Sequence, residues 1–421
     1  MNNYDSDRLL ESVNDTYRQV YMPEDADIIV FNTCHIREKA AEKIYSEVGK
    51  IKDLKKANKK LKLVITGCVA QAEGKAMIRR QPLIDAVLGP QMYHRFPSII
   101  KKIKNNKIVE LEFENDKKFE KLKEKRIISS KSSFVTIQEG CDKFCSFCVV
   151  PYTRGSEYSR NLIDIKNEVI DLVEKGTREI ILLGQNVNAY HGSNIADKEI
   201  NLAKLIKNLE KIDGLERISY TTSHPIDMDD ELIELHGAST KLNPYLHLPV
   251  QSGSNKILKA MNRKYTVEDY YKIIDRVRSN CTNIAISSDF IIGYPGETKE
   301  DFKSTLNLVK EINFSQSYSF IYSSRPGTKS SRLDNLISRE ENKARLAELQ
   351  ELLNIQQKKF NSSFISKNLN VLVKGKGKIE NQYRGTTKWM QTVNFKAKRL
   401  TNDFVKVNIK KVNNNSLLGE I

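Results

Sequence analysis

Cysteine is scarce in this sequence, with six among 421 residues. So few exclude a disulfide-stapled fold and leave metal-binding or catalytic work for the thiols, in a reducing compartment that is expected to be cytoplasmic. No run is apolar for long enough to span a bilayer, so no membrane partner is expected. The opening residues, MNNYDSDRLLESV, lack a basic stretch followed by an apolar one, and no secretory signal is read there. Internal repeats are also missing. A length of 421 residues suits two or three domains.

Positive charge is plentiful, with 69 Lys and Arg against 53 Asp and Glu. It is unevenly spread: Phe360 to Ile421 holds 12 basic and 3 acidic residues, more than half of the +16 excess. Such a segment suits phosphate contacts and counterion release, or is simply a soluble basic surface.

The first third alternates strand-like and helical runs. ADIIVFNTC ends at Cys34, LKLVITGC ends at Cys68, and DAVLGP follows. The segment between the first two, HIREKAAEKIYSEVGKIKDLKKANKK, reads as a helix, so the order is that of a parallel sheet. Both cysteines stand just past a strand's C-terminal end, the edge where open α/β sheets bind ligands. Lys101 to Arg126 is a charged linker with room for one short strand or helix. Six strand-like runs follow, SFVTIQ, REIILLGQN, RISYTTS, YLHLPVQ, NIAISSDFIIG and SQSYSFIYS, separated by helical stretches. That series fits an open (β/α) barrel with its chemistry on the loops after the strands. A Leu-bearing charged helix then leads to NLNVLVKGKGK, QYRGTTKWMQTVNF and DFVKVNIKKV, which fit a small antiparallel barrel.

Half of the cysteines crowd into GCDKFCSFCVVPYTRG, directly after the barrel's first strand. Cys141, Cys145 and Cys148 follow a Cys-x3-Cys-x2-Cys pattern. Three thiolates this close suit three corners of an iron–sulfur cubane and leave one iron without a protein ligand. A structural zinc site wants four ligands, and the nearest histidines are His94 and His191. A disulfide would leave one thiol over. Cys281 lies between a helix and a strand, away from both sets, and reads as a spare thiol.

This spacing after the first strand of a βα series resembles the radical S-adenosylmethionine superfamily. There the three cysteines hold a 4Fe-4S cluster, and the amino and carboxylate groups of S-adenosylmethionine chelate the fourth iron. One electron splits the sulfonium and yields a 5′-deoxyadenosyl radical. QEGCDKFCSFCVVPYTRGSEYSR, LLGQNVNAY, TTSHP, HLPVQSGS, MNRKYT, DFIIGYPGET and SSRPGT are similar to the methylthiotransferases of that superfamily. NTCHIREKAAEK and TGCVAQAEG match their N-terminal domain, and the basic tail resembles their TRAM RNA-binding barrel. The resemblance covers essentially the whole chain. It implies an α/β protein with an N-terminal parallel α/β methylthiotransferase domain at 1–102 and a linker at 103–126. A partial (β/α)6 radical SAM core at 127–358 and a small C-terminal antiparallel TRAM β-barrel at 359–421 complete it.

The activity implied is methylthiolation at C2 of N6-dimethylallyladenosine beside the anticodon of tRNA. Two S-adenosylmethionine molecules serve, one as methyl donor and one as radical source. A monomer, tRNA as partner and a flavodoxin- or ferredoxin-like reductant are implied with it. The same chemistry on threonylcarbamoyl adenosine or on a ribosomal-protein aspartate stays open, as does a non-catalytic iron–sulfur RNA-binding relic. No catalytic residue is expected beyond the cluster ligands. Cys34 and Cys68 correspond to ligands of a second 4Fe-4S cluster, whose third cysteine lies in a Gly-Cys-Gln-Met-Asn stretch leading into Asp-Ser. Here the sequence begins MNNYDSD, with Met1 in the place of that methionine. The missing first strand and third ligand are expected upstream of a start codon assigned too late, or outside a truncated gene; in a chain that is really this short, only two thiolates remain and hold a cubane poorly.

Cofactor contacts are expected from Gln185 and Asn186 after the second strand and from Gln251 and Ser252 after the fourth. Gly293 after the fifth is expected at an adenine wall, and Glu157 and Arg160 near the cofactor's charged groups. Each reads equally as an ordinary strand or helix cap. His224, before Pro225, reads as a structural histidine or a substrate contact. In the tail, Tyr383 and Trp389 with Arg384, Lys388, Lys396, Lys398 and Arg399 suit stacking and phosphate contacts with unpaired nucleotides, with part of the aromatics expected in the barrel core.

Overall fold

Apolar runs near the N-terminus form one parallel sheet whose strands lie side by side in chain order: β1 (Ile28–Thr33), β2 (Lys62–Gly67), β3 (Ala86–Leu88) and β4 (Ile108–Glu110). The computed structural model of the chain describes residues 1–34, 38–103, 106–113, 118–119, 126–127, 130–194, 196, 198–377, 379–413 and 415–421. β2 is buried from Leu63 to Gly67, as a strand covered on both faces must be, with Leu63, Val64 and Ile65 at its centre. The helical run expected between β1 and β2 divides into Glu38–Lys50 and Lys52–Ala57. β4 lies within the stretch read as a linker. A helix at Asn2–Val13, which the polar sequence does not announce, packs Leu9 and Val13 against Met92, Tyr93 and Phe96.

The middle of the chain forms the expected open barrel. β5 (Ser132–Thr136) is followed by a short antiparallel pair, β6 (Gln138–Glu139) and β7 (Tyr158–Ser159). Next come β8 (Glu179–Leu183), a ribbon of β9 (His191–Ser193) and β10 (Glu199–Asn201), and then β11 (Arg217–Thr221). β12 (Tyr245–His247), β13 (Ala285–Ile292) and β14 (Gln316–Ile321) complete it. The six parallel strands stand in chain order as two triplets, β5-β8-β11 and β12-β13-β14, joined by a bridge from Ile218 to Leu242. Among the described residues β5 and β14 do not pair, so the barrel has an open side.

Alternate strand residues divide the work. Ile180, Leu182, Ile218, Tyr220, Leu246 and Phe290 join the core beneath the outer helices. Those helices start where the sequence supplies caps: Thr266 with Asp269, and Thr298 with Asp301, form capping boxes. Ile181 and Leu183 belong to another cluster, with Tyr4 of the first helix and Met390 of the C-terminal domain. All three domains therefore meet at this strand.

After the helix Arg339–Ser362, β15 (Asn368–Lys376), β16 (Gln382–Thr386), β17 (Thr392–Lys396), β18 (Phe404–Asn413) and β19 (Ser416–Glu420) close a barrel in the order β15-β16-β17-β19-β18. The expected antiparallel barrel carries one parallel pair, β17 with β19, because the last strand, not singled out in the sequence, fills the gap between β17 and β18. This barrel is tied down. Arg217 of β11 donates to the carbonyls of Thr386 (3.0 Å) and Asn370 (2.9 Å) and lies over Phe404. Arg178 and Lys131 both pair with Asp403.

Replacing Arg217 by Ala leaves two carbonyls at the interface without their donor, at about 1–3 kcal/mol each. The melting temperature should fall, and limited proteolysis should release the C-terminal barrel faster. Unchanged melting and cleavage would contradict this reading of the interface.

Candidate functional site

The three-cysteine loop leaves the C-terminal end of the barrel's first strand, held by a closed set of amide contacts. Gln138 Oε1 accepts the N–H groups of Gln185 (2.9 Å) and Asn186 (3.0 Å), while its Nε2 donates to Gly140 O (2.8 Å). Gln185 Oε1 in turn accepts the Gly140 N–H at 2.7 Å. Gly140 has φ +76°, and a Cβ there would stand 2.0 Å from Ser156 O, so only glycine fits. Further along, Ser146 N donates to Met261 O (3.0 Å), Ser146 Oγ to Ala260 O (2.8 Å), and Asn262 Nδ2 to Phe144 O (3.0 Å). Phe147 packs beside the apolar group of Ile257, Met261 and Tyr294.

Burial pushes the Cys141 thiol up to about 11 and the Cys148 thiol up to about 12, and negative charge on Cys145 pushes both the same way. Such a trio ionises together only around a cation that it ligates. Three thiols spread along one pinned loop fit the separate corners of a cubane. Donors face the sulfurs: Val150 N–H lies 3.5 Å from Cys148 Sγ, and Arg263 Nη1 lies 3.5 Å from Cys145 Sγ. Arg263 is buried, with Nη2 on Pro249 O (2.8 Å) and Nε on the Tyr265 hydroxyl (3.1 Å). Burial alone would lower its pKa, but Tyr265 and Cys145 outweigh that and keep it charged. In the sequence Arg263 lies within MNRKYT and is not among the expected cofactor contacts. A lone arginine there carries no spacing signal.

Other predicted residues divide. Glu157 stands close enough to Cys141 for their charges to interact, and burial raises its carboxyl pKa. Asn186 is buried, with Nδ2 on Asp227 (2.8 Å) and Oδ1 unpartnered, and Asp227 also pairs with Lys143 of the cysteine loop (2.7 Å). Gln185 holds the loop as described. Gln251, at φ +74°, joins its strand to β13 through Asp289 O and the Ile291 N–H.

Three residues are not brought to the loop. Arg160 is buried on Thr136 O (2.6 Å) and Glu168 (2.8 Å) in the barrel wall. Ser252 meets Thr305 of the outer helix layer at 3.4 Å and accepts the Ser254 N–H. Gly293 has φ +72° and donates to Glu297. A Cβ there would meet Asn342 Oδ1 at 1.8 Å, so a neighbouring helix is what demands glycine. In the tail, Arg384, Lys388, Lys396, Lys398 and Arg399 are exposed. Tyr383 instead stacks on Phe395 in the barrel core. Trp389 packs on Phe364 and donates its indole N–H to Asn283 O (2.8 Å), so it joins two domains and does not offer an open stacking face.

The second cysteine set lies on the N-terminal sheet. Thr33 stands opposite Gly67 in the β1–β2 register, so Cys34 and Cys68 are neighbours at the C-terminal ends of adjacent strands. β3 leads to Gln91 and Tyr93 on the same edge. Thr66 Oγ1, Gln71 Oε1, Gln91 Oε1 and the Tyr93 hydroxyl are buried there without partners, which fits a polar group held at this edge. The two cysteines are two of the three thiols that the resemblance implies there, and the third is absent from this sequence. Arg154, at the end of the barrel's cysteine loop, reaches across: its Nε lies 3.4 Å from Cys68 Sγ. Arg154 also pairs with Asp5 (2.8 Å) and Glu139, and Lys118 joins both carboxylates.

Residues 1–89 match Uncharacterized protein family UPF0004, residues 135–309 the Radical SAM superfamily, and residues 363–421 the TRAM domain. The tRNA-2-methylthio-N(6)-dimethylallyladenosine synthase of Rickettsia bellii (strain RML369-C) is 50% identical over 434 residues, covering 100% of this chain and 97% of that protein. The synthase of the same name from Jannaschia sp. (strain CCS1) is 48% identical, covering 100% and 92%. Among solved structures, the radical S-adenosylmethionine methyltransferase TsrM of Kitasatospora setae shares the fold, with TM-score 0.58, 15% identity and coverage of 79% of this chain and 72% of that one.

His224 accepts the Ile226 N–H on Nδ1 (3.2 Å), so its proton resides on Nε2, which is buried and unpartnered. Burial, aided by Arg263 and Lys143, holds its pKa down to about 2, and burial alone holds that of His236 down to about 4. The unfolded chain takes up these protons below 6.5 while the folded chain does not. Each group's contribution is complete above pH 6.5 and is lost downward, by up to about 1.4 kcal/mol per pH unit. His224→Asn keeps an acceptor for Ile226 and should flatten the fall in apo-protein melting temperature between pH 6.5 and 5. An unchanged pH slope would contradict a neutral, buried His224.

Proposed function

The chain belongs to the radical S-adenosylmethionine methylthiotransferases, in the family of tRNA-2-methylthio-N6-dimethylallyladenosine synthases, and we propose how its own residues serve that reaction. The product is a methylthio group at C2 of N6-dimethylallyladenosine in tRNA, with S-adenosylmethionine as cofactor. An aromatic C–H at that position has no useful acidity, so polar chemistry does not reach it. The observation that carries the reading is the loop of Cys141, Cys145 and Cys148, which offers three sulfurs where a cubane has four irons. When bound, the cluster with S-adenosylmethionine supplies a one-electron cleavage of the sulfonium.

The protein's part is to hold, orient and exclude water. Gln138 and Gln185 set the loop's entry, and the Ser146 and Asn262 contacts set its far end. Arg263 presents a fixed cation to the Cys145 sulfur. Glu157, with its carboxylate beside Cys141, is placed for the amino group of the cofactor. Asn186 offers its unpartnered Oδ1 from a buried position next to the Lys143–Asp227 pair. Phe147, Tyr294 and Met261 keep one side of the loop dry.

Cys34 and Cys68 are read as ligands of the second 4Fe-4S cluster, where sulfur is supplied. Support comes from their neighbouring positions and the unpartnered polar atoms beside them. On the C-terminal barrel, Arg384, Lys388, Lys396, Lys398 and Arg399 are read as phosphate contacts for tRNA, on the strength of their exposure and clustering. Electrons come from a flavodoxin- or ferredoxin-like donor, as the one-electron step requires. The chain is read as a monomer, each domain having its own core. The setting is read as cytoplasmic because six cysteines in 421 residues suit metal and catalytic roles in a reducing compartment. Among the described residues no helix is long and apolar enough to cross a membrane.

Nucleoside mass spectrometry tests the assignment. In cells lacking the gene, a copy with Cys141, Cys145 and Cys148 replaced by Ala should yield tRNA without the 2-methylthio nucleoside and with its dimethylallyl precursor accumulated. Normal 2-methylthio levels from that copy would overturn the reading.

A further inference from the structure

Three buried polar atoms beside the barrel's cysteine loop have no partner: Asn186 Oδ1 after β8, and Ser223 Oγ and His224 Nε2 after β11. Asn186 is 2% exposed, and Ser223 and His224 are each 6% exposed. Buried polar atoms in a native fold are nearly always satisfied, so three together mark the place of a polar ligand. β8 and β11 are paired neighbours that end at Leu183 and Thr221, so the three residues share one edge of the barrel. The cysteine loop lies on that edge. Asn186 donates to Asp227, Asp227 pairs with Lys143 of the loop, and the Asp227 N–H donates to His224 O at 3.0 Å. The His224 ring is within electrostatic reach of Lys143 and of Arg263, the arginine on Cys145 Sγ.

His224 is built to present its outer N–H. Nδ1 accepts the Ile226 N–H, so the ring is neutral and carries its one proton on Nε2. Asn188 clips the backbone on both sides: its Oδ1 accepts the His224 N–H and its Nδ2 donates to His224 O, each at 2.8 Å. The ring packs edge-on against Tyr265, with centroids 5.6 Å apart. Just before it, Thr222 holds φ +73°, a left-handed backbone that costs a β-branched residue about 1–3 kcal/mol. The cap on Ile226 does not by itself call for imidazole, since an asparagine side chain makes the same bond. What imidazole adds is a second, rigidly held donor further out.

We propose that His224 holds the target base, donating its Nε2–H to a ring nitrogen that flanks C2 of the adenine. The cofactor's charged groups are matched by Glu157, Lys143 and Arg263, whereas a neutral N–H suits a neutral aromatic nitrogen. C2 lies between two such atoms, N1 and N3, so one hydrogen bond there fixes which carbon faces the cysteine loop. A base with carbon in that place leaves a buried N–H unpaired and is refused. The inference rests on the reading of the chain as a tRNA methylthiotransferase. It needs only the loop of Cys141, Cys145 and Cys148, and nothing of the edge at Cys34 and Cys68.

The test measures binding by the full chain, reconstituted anaerobically with iron and sulfide and supplied with S-adenosylmethionine. The probes are an RNA stem-loop with N6-dimethylallyladenosine at the target position and the same RNA with that base as its 1-deaza, 3-deaza or 7-deaza analogue. Dissociation constants are read by fluorescence anisotropy, with melting curves reporting the fold. The parent should bind the 1-deaza or the 3-deaza loop about tenfold more weakly than the natural one, and the 7-deaza loop equally well. His224→Asn keeps an acceptor for Ile226 but lacks the outer donor. It should bind the natural loop about tenfold more weakly and lose nothing further with the analogue that the parent rejects. His224→Gln returns an N–H near the Nε2 position and should recover part of the affinity. Affinity for S-adenosylmethionine should be the same in all three proteins. A parent that binds the 1-deaza and 3-deaza loops as tightly as the natural one overturns the inference and leaves the tRNA reading standing, whether or not the variants fold. The same analogue loss in His224→Asn as in the parent also overturns it. Weakened S-adenosylmethionine binding with unchanged RNA binding overturns it too, and gives the donor to the cofactor. A parent that binds none of the loops overturns the tRNA reading itself, and the inference with it.

Discussion

A buried set of ion pairs at the seam between the N-terminal sheet and the barrel governs this structure. Arg154, Asp5, Lys118 and Glu139 form one group, and Arg126 with Glu11, and Arg160 with Glu168, extend it along β5. Charges this deep are tolerated only because each is paired, and removing one partner costs about 3–5 kcal/mol. Whether the group adds net stability matters less than what it forbids. The two domains cannot slide or rotate without separating several buried charges. Cys68 and the loop of Cys141, Cys145 and Cys148 are therefore held on facing sides of one seam.

The same logic orders the rest of the chain. The cysteine loop is anchored to the barrel at both ends by backbone and amide contacts, so the seam positions a rigid object. At the other side, Arg217 and Trp389 fasten the basic C-terminal barrel to β11 and to the turn before β13. A substrate gripped by the exposed basic side chains of that barrel would thus be presented to a fixed site. Recognition by a remote domain then contributes to orientation at the reacting carbon, which is where binding energy is most useful.

Much of this was legible in the sequence because it is local. Cysteine spacing and alternating strand and helix periodicity involve neighbours in the chain. The helix Asn2–Val13 was not legible: its mean composition is polar, since Asp5, Arg8 and Glu11 are buried charges that mimic a solvated face. Nor were Arg154 and Arg263, whose contacts with the cysteines Cys68 and Cys145 join residues 86 and 118 positions apart. Trp389 and Arg160 show the converse. Both look like ligand contacts by type and neighbourhood, and both are occupied by protein partners that only the fold brings to them. β19 was missed because its pairing with β17 is parallel and its five residues carry little alternation.

The most direct test is the electron paramagnetic resonance spectrum of the fully reconstituted, reduced chain. It is to be set against the sum of spectra from two partial variants, one lacking Cys34 and Cys68 and one lacking Cys141, Cys145 and Cys148. If Cys34 and Cys68 help to hold a second centre as proposed, two centres across one seam should couple, giving a broadened, fast-relaxing spectrum that the sum does not reproduce. A spectrum equal to that sum, with each partial variant showing a centre of its own, would place the centres apart and contradict the arrangement described here.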